Sequence, residues 1–124
     1  MPHKEPVRIG LDTYSAFTPE KVRVRFDHYL NEKDEAIVTD SNLNVMFTFD
    51  IDAKMFNSKG TLIGAIRHED LSSEKWAFYT VNKVEGKVVT EKVLDLKARY
   101  PFAGEPEIIK WLVETNQLES FKTK

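Results

Sequence analysis

The sequence lacks cysteine and has only five glycines and five prolines in 124 residues. Without a thiol the chain can form no disulfide, no thiolate metal site and no cysteine nucleophile. Such a composition is typical of proteins from reducing compartments, so we expect a cytoplasmic location. The glycines stand at positions 10, 60, 64, 86 and 104. This spacing excludes the clustered glycine loops that hold phosphates before a helix, and no Gly-x-Ser-x-Gly element is present either.

Long apolar runs are missing as well. Val45-Met46-Phe47 is typical of the longest, whereas a membrane helix needs roughly 20 apolar residues. Residues 1–10 contain no apolar stretch of the kind found in a signal peptide, so we expect neither secretion nor membrane insertion. The formal net charge of −2 supplies no global field that would attract nucleic acid or anionic lipid.

The residues that are present suit a globular domain. The chain is 41% hydrophobic and 11% aromatic, which is enough to build a core and argues against disorder. A length of 124 residues is close to the commonest domain size. We therefore expect one domain over residues 1–124, in which residues 1–6 form a flexible arm and at most one short strand precedes Phe17.

Hydrophobic alternation predicts the fold class, which is α+β with a mostly antiparallel sheet of hairpins from about Ala36 to Leu96. The clearest strand is Leu43–Ile51, in which every second residue is apolar. Residues 39–42, 57–60 and 85–86 are turn formers. Thr61–Ile66 is apolar on both faces and is interpreted as a central strand, in which Gly64 marks a bulge or a close backbone approach.

A helix over Glu105–Thr115 is predicted to cover one face of this sheet. Pro106 suits the first helical position, acidic residues follow in the first turn, and Asn116 suits a left-handed end. Residues 18–33 fit two patterns, because Thr18 and Pro19 could start a helix whereas the residues after them alternate as in a strand. The alternation favours the strand slightly, and it would turn His28 toward the core.

One pattern gives a hypothesis of nucleic-acid binding. On the strand interpretation Lys21, Arg23, Arg25 and Tyr29 project from one face, which pairs cations with an aromatic surface. Asp27 interrupts this row and the net charge is negative. An ordinary exposed face of mixed charge is therefore the simpler interpretation.

A second pattern gives a hypothesis of metal-dependent hydrolysis. Asp50 and Asp52 are two residues apart at the end of a strong strand, and His68 follows one strand later. Oxygen and imidazole ligands of this kind suit Mg²⁺, Mn²⁺ or Zn²⁺. Exposed carboxylates at a strand end are common without any metal, so this interpretation is the less economical one.

With these signals weak, we expect a non-enzymatic binding or regulatory protein that needs no cofactor and acts through protein–protein contacts. Aromatic residues such as Trp76 and Trp111 are of a type favoured at interfaces. A short meander leaves sheet edges, which often pair in dimers, so self-association is a further expectation. The size and composition also fit a viral accessory or inhibitor protein.

Overall fold

The computed structural model describes residues 11–69, 75–98 and 100–123 of the chain. It contains an eight-stranded antiparallel sheet in which the strand order equals the chain order, followed by two helices. The predicted α+β class and the predicted meander are thereby confirmed. The arm predicted over residues 1–6 lies outside the described residues. The elements are β1 Leu11–Phe17, β2 Arg23–Leu30, β3 Ala36–Thr39, β4 Val45–Phe49, β5 Lys54–Asn57, β6 Leu62–His68, β7 Trp76–Val84, β8 Lys87–Leu96, α1 Pro101–Glu114 and α2 Leu118–Lys122.

The ambiguous segment 18–33 forms strand β2, as its alternation favoured. β2 pairs with β1 along one edge and with β3 along the other, so it lies inside the sheet. Thr18 does not start a helix. Its Oγ1 instead accepts a hydrogen bond of 3.1 Å from the backbone N–H of Val22 and closes the β1–β2 turn. His28 is buried at 7% exposure, as the strand interpretation requires.

The first five hairpin turns share one backbone form. In each turn the first residue and the fifth are joined by a backbone hydrogen bond, and the fourth donates to the carbonyl of the first. The fourth residue has a positive φ, which is the three-residue hairpin loop with a left-handed bulge position. A side-chain oxygen at the first position accepts backbone N–H groups of the turn. The five turns are residues 18–22, 31–35, 40–44, 50–54 and 57–61.

Two of these turns correct the predicted strand Leu43–Ile51. Leu43 has a φ of 66° and belongs to the β3–β4 turn. Ile51 is 68% exposed and belongs to the β4–β5 turn. The regular strand is therefore only Val45–Phe49, and the sequence interpretation missed β5. Alternating apolar residues extended the pattern into the turns, whereas the hydrogen bonds accepted by Asp50 end the strand.

The inner face of the sheet and one face of α1 enclose the core. Phe26, Phe47, Phe49 and Phe78 are fully buried on the sheet side. α1 lies against β1 and also against β6, β7 and β8, so it spans strands that are distant from each other in the sheet order. It contributes the fully buried side chains of Ile108, Ile109 and Leu112 to the same cluster as the sheet.

The start of α1 differs from the predicted one. The helix begins at Pro101, and Pro106 lies inside it rather than at the first position. No acidic residue stands in the first turn, because Glu105 falls one turn later and faces the core. Proline suits a first helical turn, and Pro101 rather than Pro106 takes that place. Among the described residues, neither helix is long and apolar enough to cross a membrane.

The end of α1 agrees with the prediction. Asn116 has a φ of 59°, and the backbone N–H of Gln117 donates to the carbonyl of Leu112 over 2.7 Å. This is the left-handed helix ending that asparagine tolerates. The turn directs α2 back to the core, where Phe121 is only 4% exposed and its ring packs beside Trp111.

Candidate functional site

Strand β8 forms one edge of the sheet. It pairs with β7, and no other described strand pairs with its outer side. Its first six residues, 87–92, are all exposed. Val88 is 63% exposed and Val89 is 45% exposed, although they project from opposite faces of the strand. Exposed sheet edges with branched apolar residues are templates for pairing with another strand.

The tight β7–β8 turn sets which backbone groups this edge presents. Glu85 and Gly86 have φ values of 52° and 80°, as in a two-residue type I′ turn. In such a turn the N–H of Lys87 donates to the carbonyl of Val84. The backbone N–H and C=O groups of Lys87, Val89 and Glu91 therefore point toward β7. Those of Val88 and Thr90 point outward, because the direction alternates along an antiparallel ladder.

The second half of β8 is shaped differently. The register shifts between Phe78 and Tyr79, which are opposite Leu94 and Lys92, so Val93 is an extra residue of a bulge. Lys92 is held there by Asp95 over 2.7 Å and by an ion pair with Glu69. Its hydrogen bonds to Asp95 and then to Glu69 raise the pKa of the Lys92 ammonium, and those from Lys92 lower the pKa of Asp95. The bulge and this ion cluster leave residues 87–91 as the regular part of the edge.

A groove lies beside the exposed half of β8. Its volume is about 640 Å³. Leu62, which is 37% exposed, and Val88 give it an apolar component. The side chains of a strand added to the β8 edge would thus lie close to this groove and could contact it. The groove is lined by Thr61, Leu62, Val81, Asn82, Lys83 and Val88.

A second polar cluster lies in the core rather than at the surface. His28 Nε2 and Glu105 Oε2 are 2.8 Å apart, and their side chains are 9% and 0% exposed. The pair joins β2 to α1 across 77 residues of sequence. Glu105 Oε1 and the hydroxyl of Tyr14 are buried without a hydrogen-bond partner in the described structure. Burial raises the pKa of Glu105 to about 7, although the hydrogen bond with His28 opposes this shift.

The properties of this cluster fit a structural role in the core. Burial and the nearby charge of Glu105 raise the pKa of Tyr14, so its hydroxyl keeps its proton. Lys110 lies above the same ring, with Nζ 5.9 Å from the ring centroid. A substrate could reach the His28 and Glu105 atoms only if α1 moved away from the sheet, because both side chains are enclosed. The geometry therefore supports a positioning role for the pair within the fold.

The residues of the predicted nucleic-acid surface lie in three different settings. Lys21 has a φ of 64° in the β1–β2 turn. Arg23 and Arg25 are exposed, and they contact Ser15 over 2.9 Å and Asp27 over 3.7 Å. Tyr29 is buried at 7% exposure. The two arginines are thus exposed two residues apart on β2, whereas the Tyr29 ring predicted to stack with a base is buried.

The predicted metal ligands do not converge. Asp50 is the first residue of the β4–β5 turn, where its Oδ1 accepts from the backbone N–H groups of Asp52 and Lys54. His68 ends β6 and stacks on Trp76 with ring centroids 3.8 Å apart. Across the described ranges, no group of three His, Asp or Glu side chains is placed to hold a metal ion.

Comparison of the chain with models of known protein families, with curated proteins and with solved structures finds no match in any of the three. Sequence reasoning placed a hairpin around Glu85 and Gly86 but assigned no role to β8. The adjacent Val88 and Val89 were the available signal, because they are the apolar residues of the otherwise polar segment 87–92 and lie on both faces of the strand, which indicates a contact.

Proposed function

We propose that this chain is a non-enzymatic binding protein that pairs the exposed β8 edge with a strand of another polypeptide chain. The observation that carries this proposal is the edge segment 87–91, which presents outward backbone groups and two exposed valines. Strand addition obtains affinity from main-chain hydrogen bonds and specificity from alternate side chains. The absence of cysteine supports a cytoplasmic setting for this binding.

The composition of the edge favours pairing over protection. Natural sheets protect an open edge with proline, a bulge, inward-pointing charges, or charged side chains along the edge, lysine especially. Residues 87–91 contain no proline, and the bulge at Val93 lies beyond them. Lys87 and Glu91 carry charges, but they are four residues apart and leave the three residues between them open for contact.

Replacing Thr90 with proline tests the proposal. Proline removes the outward N–H of Thr90 without removing a hydrogen bond of the β7–β8 ladder, so we expect Thr90→Pro to fold and to lose strand pairing. Thr90→Ala is the matched control, because it removes the side chain and keeps the N–H. In affinity capture from nuclease-treated host lysate, the wild type and Thr90→Ala should retain the same protein partner, and Thr90→Pro should not.

Equal capture by the wild type and by a folded Thr90→Pro variant would overturn the proposal, as would a wild-type chain that neither captures another protein nor associates with itself. A second measurement uses only the wild type. Hydrogen exchange of the Val88 and Thr90 amides should slow when the captured partner is added, while the amides of the β2–β3 turn, residues 31–35, should not change. Unchanged exchange at Val88 and Thr90 would contradict strand addition at this edge.

The other two functions predicted from the sequence gain no support from the geometry. Nucleic-acid binding keeps the exposed Arg23 and Arg25, but Tyr29 is buried. Metal-dependent hydrolysis would need Asp50, Asp52 and His68 to meet, and Asp50 is engaged by its own turn. A viral accessory role stays a prediction from size and composition.

A further inference from the structure

We propose that the strand that pairs with β8 is β8 of a second copy of this chain, antiparallel and centred on Val89. This inference rests on the proposed function, because it names the partner of the same edge. Three observations carry it. They are the outward direction of the Val88 and Thr90 backbone groups, the charges of Lys87 and Glu91, and the exposure of Val89.

Hydrogen bonding restricts the possible registers. In an antiparallel pair, residues that exchange both backbone bonds lie directly opposite each other. Only residues whose backbone groups point away from β7 can pair in this way. Val88 and Thr90 must therefore lie opposite Val88, Thr90 or Lys92 of the second copy. A twofold axis relates the two identical antiparallel strands. An axis that passes between two neighbouring residues is excluded, because it would set a residue whose backbone groups point outward opposite one whose groups point toward β7.

Side chains select one register from those that remain. An axis at Val89 sets each Lys87 opposite Glu91 of the second copy, and each Val88 opposite Thr90 of the second copy. An axis at Glu91 would set two like charges directly opposite each other, which is unfavourable. An axis at Thr90 would set Val89 opposite Glu91 and would bring Lys87 to the bulge residue Val93. An axis at Val88 would set Lys87 opposite Val89, which pairs a charge with an apolar residue. The register at Val89 alone pairs opposite charges with each other and apolar residues with apolar or β-branched ones.

The register also places Val89 where contact is closest. Val89 points its backbone groups toward β7, so across the new interface it forms a non-hydrogen-bonded pair with Val89 of the second copy. The Cα atoms of such pairs are about 4.5 Å apart, closer than in hydrogen-bonded pairs. The two valine side chains, each 45% exposed in the single chain, would then cover each other. The dimer would contain one sheet continuous through both copies.

The contact is short, so we expect a weak dimer. Five residues from each copy form the pairing, and stable interfaces usually bury more than about 1,000 Å². The dimer should therefore dissociate as the protein is diluted, with a Kd in the range of about 1 μM to 1 mM. Sedimentation velocity over that concentration range measures it directly.

Charge reversal tests the register. Lys87→Glu and Glu91→Lys each replace two opposite-charge pairs by two like-charge pairs, so each should weaken the dimer about tenfold. The double variant Lys87→Glu/Glu91→Lys restores both pairs and should return to within about threefold of the wild type. An equimolar mixture of the two single variants should form a heterodimer, because each copy then meets its opposite charge. Lys33→Glu, which changes the net charge by the same amount in a distant turn, is the control.

The outcomes separate this inference from the proposed function. A wild-type chain that stays monomeric over the whole concentration range overturns the homodimer, whereas strand addition to another protein is judged by Thr90→Pro capture alone. A wild-type dimer whose Kd is unchanged in both single charge variants overturns the register. Failure of the mixed single variants to associate, while each alone is weakened, overturns it as well.

Discussion

A carboxyl group enclosed in an apolar core is the residue-level feature that most affects the behaviour of this fold. Glu105 is 0% exposed, and burial raises its pKa from 4.5 to about 7. In the unfolded chain the carboxyl group loses its proton near pH 4.5, whereas in the fold it keeps the proton up to about pH 7. The native state therefore binds more protons between these values, and stability must fall as pH rises through that window.

The fall of stability with rising pH gives a prediction for Glu105→Gln. The free energy of unfolding of the wild type should fall between about pH 4.5 and pH 7, by about 3 kcal/mol, because each pKa unit corresponds to about 1.4 kcal/mol. The amide cannot ionise, so Glu105→Gln should lose this slope. Urea unfolding at several pH values measures the difference. Glu114→Gln, an exposed change near the end of the same helix, should keep the wild-type slope; parallel curves for wild type and Glu105→Gln would contradict the argument.

A second residue-level prediction concerns Gly64. A Cβ atom at this position would lie 2.4 Å from Cε1 of Phe78 and 3.0 Å from the carbonyl oxygen of Tyr79. The close backbone approach predicted from the sequence is therefore present. Gly64→Ala should destabilise the protein by about 1–3 kcal/mol through overpacking. The change Phe78→Leu in the Gly64→Ala background should cost less than Phe78→Leu alone, and additive effects in the unfolding free energies would contradict this contact.

At the scale of elements, the turn form shared by the first five hairpins is the main recurring feature of the sheet. Its fourth position is left-handed in every case, yet only the turn with Gly60 has glycine there. Leu43 has a φ of 66° and is 50% exposed, so the turn carries backbone strain at a residue that buries little of its surface. A non-glycine residue in this region costs about 1 kcal/mol.

Leu43→Gly should therefore stabilise the protein by about 0.5–1 kcal/mol relative to Leu43→Ala. The alanine variant is the matched control, because it removes the leucine side chain and keeps the unfavourable φ. Thermal or urea unfolding of the two variants gives the comparison. A glycine variant no more stable than the alanine variant would show that this turn is not under strain.

The elements also show what sequence could and could not predict. Strand β2, the close approach at Gly64 and the helix ending at Asn116 were predictable, because alternation, glycine and asparagine act locally. The end of β4 was not, because apolar Leu43 and Ile51 continue its pattern into the turns. The start of α1 was misplaced, since two prolines, Pro101 and Pro106, both suit a first turn and only packing distinguishes them.

The candidate site depended on information that no local pattern contains. Lys87 to Glu91 form an edge because β8 is last in the strand order, and strand order is a property of the whole sheet. The His28 and Glu105 contact spans 77 residues and needed both β2 and α1 in place. Residue types could suggest that His28 faces the core, but not which group meets it there.

At the scale of the whole molecule, the described strands pair with their neighbours in the chain. Each of β2 to β7 pairs with the strand before it and the strand after it, so closing each hairpin requires only the loop between two consecutive strands. The contacts of α1 with β1, β2 and β6 are among the long-range contacts of the fold. Topologies dominated by local contacts fold faster than those that depend on distant pairings.

The position of α1 after all eight strands has a consequence for the chain during synthesis. The strands can pair one by one as they leave the ribosome, but the inner face that carries Phe26, Phe47 and Phe49 stays uncovered until α1 has emerged. The nascent sheet therefore exposes its most apolar surface when all eight strands have formed and α1 has not yet emerged. The segment translated after the eight strands ends that exposure, and a pause just before α1 would prolong the interval in which a chaperone or an incorrect partner could bind.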